Sequence, residues 1–278
     1  MYKNILVSLD GSPMDTQIIE MGISLASQLK AKLHGLTVQD ETMLEGPLMY
    51  DISGALAFIP QLNFLQETRK VLEEKAKNIL SGFENTCQEN DIACQGITQR
   101  GTIYKIICDQ AELHDLSIIG RRGLNYQFDH ELLGSTADRV VRHTKAPVLV
   151  MTHEFSPIKN PMIAYDGSHP SKKALKTAIG LCSELKWPLT VLNVSSDPSH
   201  AQEILNEAKT SLDNHPVIVK YEYEKGNPHE KVAQYAKTHK HDLVIMGARG
   251  HRGIIDFILG STTQYTLWSG AFHVLVDR

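Results

Sequence analysis

Short apolar runs alternate with amphipathic stretches along the whole chain. Residues 3–10 (KNILVSLD) read as a first strand that stops on a polar residue. Gly11-Ser12-Pro13 turns into a helix with Ile18, Ile19, Gly22, Ile23, Ala26 and Leu29 at helical spacing. Residues 32–38 are predicted as strand two, 66–89 as a charged helix and 92–99 as strand three. A helix is predicted over 101–114, with Ile103, Ile106, Ile107 and Ala111 on one face; strand four begins at Asp115, a helix covers 135–143, and residues 147–151 form strand five. An interruption, residues 39–65, carries Met43, Leu44, Leu48, Met49, Leu56, Phe58 and Ile59.

Residues 152–160 (THEFSPIKN) break the pattern as a linker, and the order then restarts. Strands are predicted at 161–166, 189–194, 217–223, 243–246 and 273–276, with helices to about Lys186, over 201–212, over 226–239 and from Ser261 to about Leu267. Asp166-Gly167-Ser168 lies 156 residues after Asp10-Gly11-Ser12, and the final His273-Val-Leu-Val lies 126 after Pro147-Val-Leu-Val, so the second half is shorter by 30. Strands alternating with helices imply a parallel sheet covered on both faces, hence an α/β fold of two tandem Rossmann-like units, 1–152 and 153–278. Ligands in such sheets bind beyond the carboxyl ends of the strands. Asp10, Val38 and Gly120 fall at such ends in the first half, and Asp166, Val194 and Gly247 in the second.

The repeat is most evident in two glycine-rich stretches. DLVIMGARGHRGIIDFILGST runs from Asp242 to Thr262, and DLSIIGRRGLNYQFDHELLGST from Asp115 to Thr136. In each, a buried strand leads to a glycine turn, and a Gly-Ser-Thr opens a helix. Ser261 is expected to cap its helix. Free N–H groups at such a helix start, approached through glycine, form an anion site, read here as a phosphate cradle. The plainer alternative is a strand-turn-helix whose glycines serve packing. Nine residues separate Gly250 from Gly260, but ten separate Gly123 from Gly134.

Composition narrows the picture. The 278 residues are 42% hydrophobic and 22% charged, normal for a soluble globular protein, and no apolar run approaches a membrane span. The N-terminus enters a strand pattern with no visible signal peptide, and a cytoplasmic location is expected. A net charge of −4 gives no electrostatic reason to expect nucleic acid. Cys87, Cys94, Cys108 and Cys182 show no metal-like pairing and read as idle thiols in a reducing compartment. Among thirteen histidines, His239 and His241 flank Lys240 in a weak zinc-like arrangement; no metal site is assigned.

An aspartate ending strand one, followed after strand four by G-x-x-G-x(9)-G-(S/T), resembles the universal stress protein family, and the resemblance covers both halves. It implies ATP binding (or ADP or AMP) and a five-stranded parallel sheet of order 3-2-1-4-5 in each unit; a magnesium ion could bridge the phosphates and Asp or Ser oxygens, although no dedicated ligand set is visible. It also implies that last strands of neighbouring units pair, so that the halves form a pseudo-dimer within the chain, with further homodimerisation open. Carried over residue by residue, Asp166 and the Val194 backbone match the adenine end. Gly247, Arg249 and Gly250 match the ribose-phosphate turn, and Gly260, Ser261 and Thr262 the phosphate-binding helix start. In the first half these roles fall on Asp10, Val38, Gly120, Arg122, Gly123, Gly134, Ser135 and Thr136. The extra residue in the first-half loop departs from the family spacing, which either reshapes that pocket or abolishes it.

Asp10 and Asp166 have a second reading, as caps of the next helix. Arg121, Arg122, Arg249 and Arg252 are either solvated loop charges or cations that offset a triphosphate. No P-loop lysine motif, no dinucleotide fingerprint and no nucleophile-base arrangement is present. The expectation is a firm grip with slow or absent turnover and a regulatory role through nucleotide-dependent contacts. Two alternatives stand beside it: a slow ATP-hydrolysing or adenylate-forming enzyme with residues 39–65 as a lid, and an interaction scaffold whose first half takes a non-nucleotide ligand.

Overall fold

The structure is a computed structural model that describes residues 2–40, 61–123, 133–152, 154–248 and 259–278. In the first half the elements run β1 (Asn4–Ser8), α1 (Met14–Leu29), β2 (Lys32–Asp40), α2 (Gln61–Glu89), β3 (Cys94–Gly101), α3 (Ile103–Ala111), β4 (Leu116–Gly120), α4 (Ser135–His143) and β5 (Val148–Met151). The second half repeats them as β6 (Pro161–Ala164), α5 (His169–Leu185), β7 (Leu189–Ser195), α6 (Pro198–Leu212), β8 (Val219–Lys225), α7 (Pro228–Thr238), β9 (Leu243–Gly247), α8 (Ser261–Ser269) and β10 (His273–Asp277).

All ten strands join one sheet, in the order β3-β2-β1-β4-β5-β10-β9-β6-β7-β8. Neighbours within each half are parallel. The halves meet at β5 and β10, which pair antiparallel with Val148 opposite Val276, Leu149 opposite Leu275 and Val150 opposite Val274. This join consumes one open edge of each half, leaving β3 and β8 at the outside.

Side-chain alternation along the strands divides the interior into two layers. On one face Ile5, Val7 and Leu33 pack with Leu25 of α1 and Phe83 of α2, and the layer continues through Leu149 and Leu275 to Ile163 and Leu175. On the other, Leu6, Leu36, Ile107 and Val140 continue to Met162, Val232 and Leu267. Both layers therefore run under both halves.

The repeat extends to backbone detail. Lys30 and Lys186, at equivalent positions, end α1 and α5 in the left-handed conformation at φ 52° and 55°. Side-chain caps set three starts of the second half: Ser168 accepts from Ser171 N, Asp197 from Ser199 N and Asn227 from His229 N. The predicted interruption is shorter than 39–65, because β2 continues to Asp40 and α2 begins at Gln61. The reason is that β2 stays paired with β3 as far as Asp40 opposite Gly101. Met43, Leu44, Leu48, Met49, Leu56, Phe58 and Ile59 lie outside the described residues.

A shared core predicts one unfolding transition. Both tryptophans, Trp187 and Trp268, lie in the second half, whereas circular dichroism reports the entire chain. In urea the two signals are expected to coincide, and Leu275→Ala, which empties a site only 1% exposed, is expected to lower stability by about 2–5 kcal/mol in both signals. Two separated transitions would show that the halves do not share a core.

Candidate functional site

The carboxyl end of β1 runs into the turn Asp10-Gly11-Ser12. Asp10 Oδ1 accepts the Ser12 N–H at 3.0 Å, and the Asp15 carboxylate accepts the N–H groups of Asp10 and Gly11 at 3.2 and 2.8 Å. Asp166 Oδ1 accepts the Ser168 N–H at the same 3.0 Å. Both aspartates thus brace their own turn, while Ser168 supplies the cap of α5. Burial, reinforced by the neighbouring Asp10 charge and opposed by the two backbone bonds, raises the Asp15 carboxyl to about 6.

β4 opens the glycine loop. Arg121 N donates to Met151 O and Gly134 N donates to Arg121 O, each at 2.8 Å, which brings the two ends of the loop together. Gly123 lies against the Asp10 carboxylate, so closely that any Cβ there would overlap Oδ2. That contact joins the aspartate turn to the loop and needs glycine for its close approach.

Gly134, not a serine, is the N-cap of α4, and Gly260 that of α8; neither makes a side-chain cap hydrogen bond. Ser135 and Ser261 are already the first helical residues, which corrects the expected serine cap. The glycine backbone enters each helix directly, at ψ near 148° and 143°, so no cap side chain takes the first-turn N–H groups.

A cavity of about 360 Å³ opens at this end of the first half. Asp10, Val38, Gly120, Arg122, Gly123, Gly134, Ser135 and Thr136 all line it. Its apolar walls include Leu36, Ile79, Ile103, Ile107 and Ile119. Arg121 and Lys75 line it too. Arg121 is 8% exposed, and so is no solvated loop charge. Lys75 comes from α2, where a strongly charged helix face gives no sign of which lysine meets the site. The residues that make the first-half loop longer, 124–132, lie outside the described residues.

In the second half the same landmarks are more crowded. Val194 is buried near the end of β7, and Gly260, Ser261 and Thr262 form the start of α8. Gly247 ends β9 against the start of α5: a Cβ there would lie 2.6 Å from Ser171 N. At the equivalent Gly120 the nearest atom would be Arg122 O at 3.1 Å. Ile204 covers the Gly167 turn where Lys75 covers Gly11. Arg249, Gly250 and Arg252 lie outside the described residues. Tyr235 stacks on His239 at 3.9 Å between ring centroids, and among the described residues no group of three metal-ligating side chains lies together. All four cysteines are free.

A mostly parallel α/β sheet covered by helices, with an aspartate turn, a glycine loop and a bare helix start at its strand ends, defines a protein of the doubly wound class. The chain belongs to the universal stress protein family, whose description, Universal stress protein family, matches residues 1–152 and 197–278. It is similar to Universal stress protein Slr1230 of Synechocystis, 29% identical over 286 residues, covering 99% of this chain and 100% of that one. Universal stress protein YxiE of Bacillus subtilis is 25% identical over 153 residues, covering 54% of this chain and 99% of its own. The crystal structure of a universal stress protein from Archaeoglobus fulgidus shares the fold with a TM-score of 0.77 at 20% identity, over 99% of this chain and 98% of that chain. No helix among the described residues is long and apolar enough to cross a membrane.

The Asp15 carboxyl supplies a pH test of the turn. Its folded value, about 6, lies above its ordinary 3.8. The stability it contributes is complete below the unfolded value and is lost as pH rises through the folded one. Wild type is expected to lose stability relative to Asp15→Asn between about pH 4 and 6, with a constant difference above about pH 7. Thermal unfolding across that range reads the slope, and a flat or opposite difference would contradict the buried environment assigned to Asp15.

Proposed function

We propose that the chain binds an adenine nucleotide, ATP foremost, in the first-half cavity, and acts through nucleotide-dependent contacts rather than turnover. The observation that carries this is the convergence of eight residues, chosen by motif, on one cavity beside a helix start whose N–H groups no cap side chain occupies. The volume falls within the ~300–1,000 Å³ of ordinary small-molecule sites. Apolar walls from β2, α2 and α3 suit a flat base, and the start of α4, with Arg121 and Arg122, suits a polyphosphate. A magnesium ion would come with the phosphates, with Asp10 and Asp40 as the carboxylates lining the cavity.

The first half is the better candidate because its turn carries Lys75 where the second carries Ile204, and because the end of β4 is less crowded than that of β9. The two halves would thereby divide the work, one holding ligand more readily than the other.

Ser135→Glu separates binding from folding. A carboxylate in the first turn of α4 favours the helix but repels a phosphate. At a hundredfold excess of ATP over its dissociation constant, wild type is expected to gain about 2.7 kcal/mol, read by thermal unfolding. Ser135→Glu is expected to lose most of that gain while Ser261→Glu keeps it. No gain in wild type would end the nucleotide proposal; loss only in Ser261→Glu would move the site to the second half.

A further inference from the structure

The join of β5 with β10 leaves β3 and β8 as outer edges, and the chain treats the two differently. Leu33 N donates to Ala93 O, so Gly96, three residues on, turns its peptide groups away from β2. Its outward N–H donates to Glu84 Oε1 of α2 at 3.0 Å. A Cβ on Gly96 would lie 2.8 Å from that oxygen, so the carboxylate is laid tightly over the strand. A charged side chain along an edge guards it against further pairing.

β8 carries no such guard. Ile218 O accepts from Leu189 N at 2.9 Å and Gly226 N donates to Ser195 O at 3.2 Å, so the even-numbered residues turn their peptide groups toward β7. Val219, Tyr221 and Tyr223 turn theirs outward, and among the described residues no group takes their N–H groups. Their side chains pack on the first core layer. Lys220, Glu222 and Glu224 stand on the opposite face, near Tyr235 of α7. Ile218 belongs to that face too, and it is 83% exposed.

The charges on this face make the edge complementary to itself. A second copy related by a two-fold axis meets the edge antiparallel. With the axis at Tyr221, that residue faces its own counterpart and Val219 faces Tyr223 of the second copy. Peptide groups turned outward on both strands then meet as hydrogen-bonded pairs. Lys220 stands opposite Glu222 of the second copy, and Glu222 opposite Lys220, at the closer positions between those pairs. Within one strand these two side chains already reach each other, Nζ to Oε1, at 2.9 Å. Ile218 gains the stem of Glu224 as cover. Moving the axis by one residue sets Glu222 against Glu222 or Lys220 against Lys220, which like-charge repulsion opposes.

We infer that β8 is the docking edge for a second copy of this chain, paired antiparallel about Tyr221 so that Lys220 and Glu222 exchange partners across the axis. The guard on β3 closes the assembly at two copies, where two open edges would let it grow into a filament. A short strand pair is a small interface, so the dimer is expected at high protein concentration and low salt. This surface lies outside the nucleotide reading and does not depend on it.

Sedimentation of the full chain at low salt, over a range of concentrations, tests the pairing. Wild type is expected to pass from monomer to dimer. Glu222→Lys and Lys220→Glu each set like charges across the axis, and each is expected to weaken dimerisation by about tenfold or more. Mixed in equal amounts, the two variants are opposite in charge at both facing positions and are expected to associate about as well as wild type. A purely structural role for these side chains predicts no recovery on mixing. Circular dichroism checks that each variant folds. Should one fail to fold, the other carries the test together with the double variant, whose exchanged charges are expected to regain the dimer. A wild type that stays monomeric, a dimer indifferent to the single variants, no recovery on mixing or in the double variant, or growth past two copies would each overturn the inference.

Discussion

The antiparallel pairing of β5 with β10 is the constraint on which the rest of the molecule depends. Each half would otherwise end in a strand of buried residues with unpaired backbone groups. Three facing pairs close that edge, and polar contacts lock its two ends. Thr152 Oγ1 donates to Phe272 O at 2.7 Å. Asp277, only 1% exposed, accepts from Thr177 Oγ1 at 2.7 Å and pairs with Lys173 at 2.9 Å. A carboxylate so buried is tolerable because a cation and a hydroxyl both answer it. The same seam sets the end of α8 beside the loop that follows β4, so that a first-half arginine reaches a second-half carbonyl.

Once joined, the two halves keep one skeleton and differ in what covers it. Their turns are braced alike, by Asp10 and Asp166, and their α4 and α8 helices begin alike, behind a glycine. The differences come from the helices that pack over the turns. α2 brings Lys75 to one and α6 brings Ile204 to the other. α5 begins at His169, close enough to crowd Gly247, whereas α1 begins at Met14, beyond Pro13. The two halves therefore share the backbone of these turns and helix starts and differ in the side chains packed over them. The strand ends must keep their geometry to hold the sheet, while a helix face can exchange a charge for an apolar group at little cost to the fold.

Much of this was legible along the chain. Alternation of apolar runs with helical spacing is a local property, so the element order emerged from it, and α4 was bounded at Ser135 and His143 as predicted. Boundaries slipped where tertiary pairing extends an element, as at Asp40 on β2 and Gln61 on α2. The serine caps were misplaced because a cap is decided by the dihedral angles of one residue, and in Gly-Ser-Thr either of the first two can take the role. Glycine spacing also pointed to the second half as the cleaner match; the bulk of Ile204 over its Gly167 turn and the close entry of α5 at Gly247 are not encoded in the spacing of glycines.

By itself, the sequence determined that the chain is a duplicated α/β unit, and which backbone segments stand at the carboxyl ends of its strands, because periodicity and glycine placement act over a few residues at a time. Only the tertiary structure decided that Arg121 is buried, that it reaches Trp268 across 147 positions of chain, and that Lys75, one of several lysines on the charged face of α2, is the lysine at the cavity. Those outcomes depend on which surfaces the β5–β10 seam and the helix layers bring together, and nothing in the spacing of neighbouring residues carries that information.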